Sequence, residues 1–105
     1  MLNVHKNCRK ELDDFPEDVR GDLADAIARL EMGHMLSMPL SRPIPSIGKG
    51  VHELRFRDRA GLYRVIYYLA GSGFIHLLHA FKKKTQQTPH QNIETAKRRI
   101  REVIR

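Results

Sequence analysis

Arginine and lysine side chains cluster in the stretch 53–84, where their types and spacing could do chemistry on a phosphate group. Residues 53–57 (Glu-Leu-Arg-Phe-Arg) alternate charged with apolar positions, Arg64 stands within a second hydrophobic segment, and residues 82–84 are consecutive lysines. Guanidinium groups bind phosphate oxygens through paired N–H donors, and a lysine among other cations has a lowered pKa. Such a set could hold a phosphodiester, stabilise a phosphorane and move a proton, as cleavage of RNA by its own 2′-hydroxyl requires.

The period of two in the first of these segments assigns its side chains to the two faces of a strand. If Leu54 and Phe56 face the core, the charged residues beside them lie on the outer face. On the following strand Arg64 and Tyr68 fall on the same outer face, which we expect to be exposed to solvent. An arginine among apolar neighbours is costly to bury without a purpose. A salt bridge from Arg64 to Glu53 is the structural alternative, and it is compatible with a functional role.

The three lysines leave the last predicted strand in series, so their side chains alternate in direction while that strand stays regular. Lys83 then shares the parity of His79, whereas Lys82 and Lys84 share the parity of Leu78. Only one of these sets can face the same way as Arg64. By itself the run could equally be a solubilising charge at a strand end.

Other reactive residue types give no comparable pattern. His76 and His79 are three residues apart and would point to opposite faces of a strand, so they cannot easily chelate one ion. The chain has no glycine-rich phosphate loop and no His-Glu-x-x-His pattern. The single cysteine, Cys8, suits the core of a helix better than a nucleophilic role. We therefore expect neither a metal nor another cofactor.

Two helices are predicted before these basic segments. Apolar residues at helical spacing indicate two short helices, or one broken helix, over roughly residues 5–33, with an interruption at Pro16 and an end at Gly33. Residues 34–50 carry several prolines and glycines and are predicted to form a loop.

Three strands and a last helix are predicted after the loop. The strands cover about residues 53–57, 62–69 and 74–81, and the short turns between them indicate an antiparallel meander. The third is apolar on both faces, which is typical of an interior strand. Thr88, Pro89 and Gln91 have the pattern of a capping box and predict the start of the C-terminal helix.

Length and charge indicate the class of protein. The 105 residues suit one domain over 1–105, and no apolar run is long enough to span a membrane. One cysteine and a polar N-terminus fit the reducing cytoplasm. The net charge of +7 is uneven, since residues 11–31 are acidic and residues 82–105 are basic. A basic end suggests a polyanion partner such as nucleic acid, although a solvated basic helix gives the same pattern.

Several collinear segments resemble the HigB-like, phage-derived branch of the RelE/ParE toxin superfamily. They cover most of the chain: residues 15–20 (Phe-Pro-Glu-Asp-Val-Arg), 51–55 (Val-His-Glu-Leu-Arg), 63–67 (Tyr-Arg-Val-Ile-Tyr) and 78–86 (Leu-His-Ala-Phe-Lys-Lys-Lys-Thr-Gln), then Thr88, Pro89, Ile93, Ala96 and Arg99. The resemblance implies an α+β fold in which two N-terminal helices pack on a small antiparallel sheet of three to four strands, with a C-terminal helix. The opening strand usual in the family could come only from Met1 to Val4, so it should be short or absent.

The resemblance also implies a toxin of a type II toxin–antitoxin pair that cuts mRNA on the ribosome. Its partners would be mRNA, the ribosome and a cognate antitoxin, often with a helix-turn-helix domain. The residues that the family motifs place in a metal-independent endoribonuclease site are Arg55, Arg64, Lys83 and Lys84. We expect RNA contacts from Glu53, Arg57, Tyr68, His79, Lys82, Lys97 and Arg98.

Two other functions remain open at this point. The superfamily includes ParE-like inhibitors of DNA gyrase that do no chemistry on RNA, and a phage-encoded regulator with a degenerate site would share the same segments. Arg64 and the lysine run favour the nuclease.

Overall fold

The computed structural model describes residues 1–83 and 88–104 of the chain, so Lys84 lies outside the described residues. The strands are β1 (Leu2–Val4), β2 (Ser41–Pro43), β3 (Val51–Asp58), β4 (Gly61–Leu69) and β5 (Ile75–Lys83). The helices are α1 (Lys6–Leu12), α2 (Glu17–Glu31) and α3 (His90–Val103). Within this part of the chain the strands form one five-stranded sheet in the order β1-β5-β4-β3-β2.

The N-terminal helices follow the predicted break at Pro16. Its ring lacks an N–H donor and its φ of −58° suits the position just before a helix, so α2 begins at the next residue. Glu17 and Asp18 then place negative charge in the first turn, where the helix dipole favours it. The prediction of two short helices over residues 5–33 is confirmed. None of the helices in the described part of the chain is long and apolar enough to cross a membrane.

The predicted α+β class is confirmed, but the sheet is larger than predicted and it is mixed. The three predicted strands correspond to β3, β4 and β5, which pair antiparallel. β1 is present, short, and parallel to β5, with Leu2 opposite Ile75. β2 lies inside the segment that was predicted to be loop, and it pairs with β3 at Glu53. Both additions are three-residue edge strands, too short to show a period of two in the sequence.

The two faces of the sheet are covered by different helices. The first core lies between α1, α2 and one face, where Leu54, Tyr63 and Val65 are buried as predicted. The second core lies between α3 and the opposite face and contains Ile66 and Ala96. The outer face was expected to be open to solvent, which is wrong, because the apolar stripe of α3 covers much of it.

An irregularity in β5 changes the predicted directions of its side chains. The register with β4 shifts between Ile66 and Tyr67, so that Leu78 is an extra residue on β5. Leu77 packs in the first core and Leu78 in the second, on the same side as Ile66. The face of the sheet predicted for Leu78 is therefore wrong. The residues after the bulge still alternate between the two faces as predicted.

Candidate active site

Strand register brings the predicted basic residues onto one face of the sheet. Arg55 on β3 lies directly opposite Arg64 on β4, and Lys83 on β5 lies opposite Leu62 on β4. All three side chains therefore point toward the face that α3 covers in part. Like charges directly opposite each other are destabilising, so this arrangement needs a negative charge close by.

Glu53 supplies that negative charge from β3. It is fully buried, at 0% exposure, and its Oε1 lies 3.6 Å from Arg64 Nε and 3.5 Å from Arg42 Nη2. Thr88 Oγ1 donates a hydrogen bond of 2.5 Å to Oε2. The salt bridge considered as the structural role of Arg64 is therefore confirmed. We refer to Arg42, Glu53, Arg55, Arg64 and Lys83 as the cationic cluster.

Arg64 is buried, at 2% exposure, so its predicted exposure to solvent is wrong. Its Nη1 donates to the carbonyl oxygens of Phe56 and Tyr63, at 3.4 and 3.2 Å. Burial lowers the pKa of the guanidinium, and Glu53 opposes this effect. An arginine stays charged despite such a shift. Because Nη1 and Nε are directed at protein atoms, Arg64 acts mainly as a fixed positive charge rather than as an open fork for phosphate.

Lys83 is the lysine that points toward Arg64. It is buried, at 6% exposure, and has the parity of His79 and Phe81, as predicted. Burial lowers the pKa of its ammonium to about 8; Glu53 opposes this shift and the nearby arginines of the cationic cluster reinforce it. A lysine with a pKa near 8 exchanges protons close to neutral pH.

A cleft opens beside the cationic cluster, at the end of β3 beyond the short strand β2. It has a volume of about 500 Å³ and is lined by Pro39, Leu40, Arg55, Phe56, Arg57, Leu62 and Arg64. Arg55 Nη1 also donates to Met38 Sδ at 3.1 Å, on the same side. The cleft therefore presents arginine side chains together with an apolar wall.

Of the predicted site residues, Glu53, Arg55, Arg57, Arg64 and Lys83 come together around this cleft and the cationic cluster. Lys82 does not. It is exposed on the opposite face of the sheet, where its ammonium lies 5.7 Å from the ring centroid of Tyr63. Its predicted RNA contact stays a prediction, and it cannot belong to the same surface as Lys83.

Tyr68, Lys97 and Arg98 lie outside the cleft. Tyr68 follows Arg64 by four residues on β4, or about 13 Å along the strand. It lines a second groove together with Lys97, while Arg98 is exposed on α3. Their predicted RNA contacts also stay predictions, and the structure does not bring these residues to the cationic cluster.

His79 is held in a separate buried network. Its Nδ1 lies 3.0 Å from Glu11 Oε1 and its Nε2 lies 2.6 Å from Asn92 Oδ1. Arg99 joins the same network through two hydrogen bonds to the carboxylate of Glu11, at 2.8 and 3.0 Å. Both ring nitrogens of His79 thus face protein partners, and the side chain links α1, β5 and α3.

Two residues of the site were not predicted from the sequence. Arg42 lies on β2, within a proline-rich segment that shows no periodicity, so nothing in the sequence placed it opposite Glu53. Thr88 was predicted to cap α3, which is wrong. Pro89 occupies the capping position without a side-chain hydrogen bond, and the Thr88 hydroxyl binds the stronger acceptor, the Glu53 carboxylate.

The site offers charge stabilisation and proton transfer from one small region. Among residues 1–83 and 88–104, no three His, Cys, Asp or Glu side chains group in a way that could hold a metal ion. Arg55 and Arg57 can bind phosphate oxygens from the cleft, Arg64 adds a fixed positive field, and Lys83 can exchange a proton.

A comparison with protein families gives one match over most of the chain. The family model described as "Phage derived protein Gp49-like (DUF891)" matches residues 10–101. No curated protein matches the chain at a significant level. The matched range contains α2, most of α3, all of the cationic cluster and the strands β2 to β5.

Proposed function

Because the chain belongs to the phage-derived Gp49-like family, a family of RelE/ParE-like toxins, we propose that it is the toxin of a type II toxin–antitoxin pair and cuts mRNA on the ribosome in the cytoplasm. Such a family implies an antitoxin partner. A helix-turn-helix antitoxin and RNA cleavage are the finer parts of the proposal.

The observation that carries the proposal is the buried lysine beside an arginine-lined cleft. Lys83 has a pKa of about 8 and shares its face of the sheet with Arg55 and Arg64. A purely structural cluster would need only enough positive charge to neutralise Glu53. The cationic cluster contains four basic side chains and one acidic side chain, and Arg42 and Arg64 lie 3.5 and 3.6 Å from the Glu53 carboxylate. This preponderance of basic side chains next to the cleft suits a phosphodiester.

We assign the following chemistry to this site. The scissile phosphate binds at Arg55 and Arg57, and the 2′-hydroxyl oxygen attacks phosphorus while its proton passes to the neutral amine of Lys83. Arg64 and Arg55 stabilise the negative charge of the phosphorane. The 5′-oxygen leaves with a proton from a second cationic group, for which the family resemblance names Lys84. The products are a 2′,3′-cyclic phosphate and a 5′-hydroxyl.

Induction in living cells tests this proposal directly. We expect primer extension on a reporter mRNA to show new ends at ribosome-positioned sites when the wild-type chain is induced. Lys83→Met should abolish these ends, because it removes the proton-accepting amine with little change in volume. Lys82→Met is the matched control: it is the neighbouring residue and loses the same charge, but from the opposite face of the sheet.

Circular dichroism of both variants separates loss of function from loss of fold. Arg64→Lys is preferable to Arg64→Ala as a test of Arg64, because alanine would remove one of the cations beside the buried Glu53 carboxylate and destabilise the fold. Inhibition of DNA gyrase without new mRNA ends would overturn the proposal and support a non-catalytic inhibitor. New ends that persist in a folded Lys83→Met variant would remove Lys83 from the mechanism.

A further inference from the structure

A second groove lies at the other end of the sheet face, between α3 and the segment before β3. Its volume is about 580 Å³. The floor is apolar and is made by Ile47, Tyr68, Ile100 and Ile104, of which Ile104 is 54% exposed. A large aliphatic side chain that stays this exposed beside other apolar side chains marks a surface that can bury more area against a partner.

The rim of the groove is basic. Lys49, Lys97 and Arg101 line it, and among the described residues no acidic side chain does. Glu94 lies 3.9 Å from Lys97 Nζ and offsets part of the positive charge of Lys97. Arg101 Nε donates to the Lys97 carbonyl oxygen, which is a neutral acceptor and does not offset the charge of Arg101. The groove therefore combines aliphatic contact with a net positive border.

We propose that this groove is a docking site for an acidic amphipathic helix of a partner protein. Lys97, Ile100 and Arg101 recur at helical spacing on one side of α3, and Ile104 follows directly as its C-cap. A second helix can pack along this side with its own apolar stripe on the isoleucines. Glutamate or aspartate at the edges of that stripe would face the basic rim. The family implies an antitoxin partner, which is the class of protein that would carry this helix.

The groove suits a protein segment better than a stretch of RNA. Three isoleucines give no face on which a base can stack. The one aromatic ring, Tyr68, is already stacked on His76 with centroids 5.8 Å apart and planes inclined by 21°. Arginine and lysine at the rim would attract either polyanion, so the apolar floor decides for the amphipathic helix.

The site is separate from the cleft of the proposed cleavage reaction. Tyr68 pairs with Val51 at the start of β3, whereas the cleft is lined by Arg55 and Arg57 at its end. A helix in the groove would anchor the partner and leave the cleft to be covered by a different part of it. Docking therefore does not require RNA cleavage.

Three synthetic peptides of about 16 residues test the inference on the full-length protein, long enough to form a helix when bound. The first has leucine at helical a and d spacing with glutamate elsewhere, the second replaces every glutamate by lysine, and the third replaces every leucine by alanine. We expect fluorescence anisotropy to give the first peptide at least tenfold tighter binding than either of the others. Equal binding of the first and second peptides would overturn the inference.

Charge reversal identifies the groove as the site. Lys97→Glu combined with Arg101→Glu should weaken binding of the first peptide at least tenfold and strengthen binding of the second. Arg98→Glu is the matched control, because it reverses an exposed charge on the same helix outside the groove. A double variant that binds both peptides as the wild type does would place docking elsewhere.

Two further outcomes would assign the groove to another occupant. Binding of a single-stranded RNA oligonucleotide that shifts the amide resonances of the groove residues would make it an RNA site. A concentration-dependent dimer in sedimentation, abolished by Ile104→Ser, would make the groove a contact between two copies of the chain. In that case the acidic helix α2 of one copy could face the basic rim of the other. None of these binding measurements depends on RNA cleavage. A failure of the docking inference can therefore be distinguished from a failure of the proposed function.

Discussion

The pKa of Lys83 is the residue-level property on which the proposed chemistry depends. Burial lowers it to about 8, and Glu53 keeps it from falling further. The neutral amine is the form that accepts a proton, so its population increases as the pH rises through 8. Lys83 was predicted from the family motif, but its burial and the carboxylate beneath it follow from β-strand register that no local pattern shows.

A pH profile tests this role. Single-turnover cleavage on programmed ribosomes should become faster as the pH rises and reach a plateau above about 8. Lys83→Arg keeps the positive charge but has no neutral form near this pH, so we expect a loss of about 10²–10⁴-fold. The same variant with full activity would show that Lys83 contributes only its charge.

At the scale of elements, part of the outer edge of β5 forms hydrogen bonds with side chains instead of with a neighbouring strand. β1 pairs with β5 only at residues 75–77. Beyond that point the carboxylate of Glu11 accepts a hydrogen bond from the amide of Ala80, and Arg99 donates to the carbonyl of Leu78. α1 and α3 are thereby tied to the same edge, one from each side of the sheet.

Glu11→Gln should weaken this tie. Burial alone would raise the pKa of Glu11, but hydrogen bonds from His79, Arg99 and the Ala80 amide lower it to about 2. Hydrogen bonds to a charged group contribute roughly 1.5–3 kcal/mol, so we expect a loss of this size in the free energy of unfolding measured in urea at pH 7. Asp22→Asn, at an exposed position in the middle of α2, is the control and should change it by less than about 0.5 kcal/mol.

The contacts of Glu11 also make the stability of the fold depend on pH in the acid range. A carboxylate whose pKa is lower in the folded than in the unfolded chain stabilises the fold above its ordinary pKa and loses that effect as the pH falls. For Glu11 the ordinary value is 4.5 and the folded value about 2. The difference in stability between the wild type and Glu11→Gln should therefore shrink from pH 4.5 to pH 2. A constant difference across this range would show that the glutamine is disruptive for another reason.

The elements and the antiparallel pairing of β3, β4 and β5 were largely predictable, and the pairing of the two edge strands was not. The period of 3.6 identified α1, α2 and α3, and the period of two identified β3. β4 and β5 were identified from apolar and aromatic composition between turns. β1 and β2 are too short to show a period, yet β2 brings Arg42 to Glu53. Covering of the outer face by α3 depended on how far the apolar stripe of that helix reaches, which spacing alone does not reveal.

For the whole molecule, the acidic surface of α2 and the cationic cluster lie on opposite sides of the sheet. α2 carries acidic residues on its exposed surface and packs on one face, whereas the cationic cluster lies on the other. A polyanion is thus attracted locally by the cationic cluster and repelled locally by α2. The net charge of +7 alone would not orient the molecule.

Salt dependence distinguishes this local field from net charge. Affinity for a single-stranded RNA should fall with salt concentration, and Arg57→Gln should make the logarithmic slope less steep by about 0.7, as expected for loss of one phosphate contact on a single strand. Lys10→Gln removes the same charge from an exposed position of α1, so its slope should match that of the wild type. Equal changes in both variants would show that only net charge matters.

The pairing of β1 with β5 constrains when the sheet can fold during synthesis of the chain. Leu2 is synthesised before its partner Ile75, which follows much later in the chain. Lys83 ends that same late strand. A nascent chain that has not yet released β5 contains neither a closed sheet nor the buried lysine. Under the proposed function, an unfinished chain therefore cannot cut the mRNA that encodes it, because the site forms only after β5 has left the ribosome.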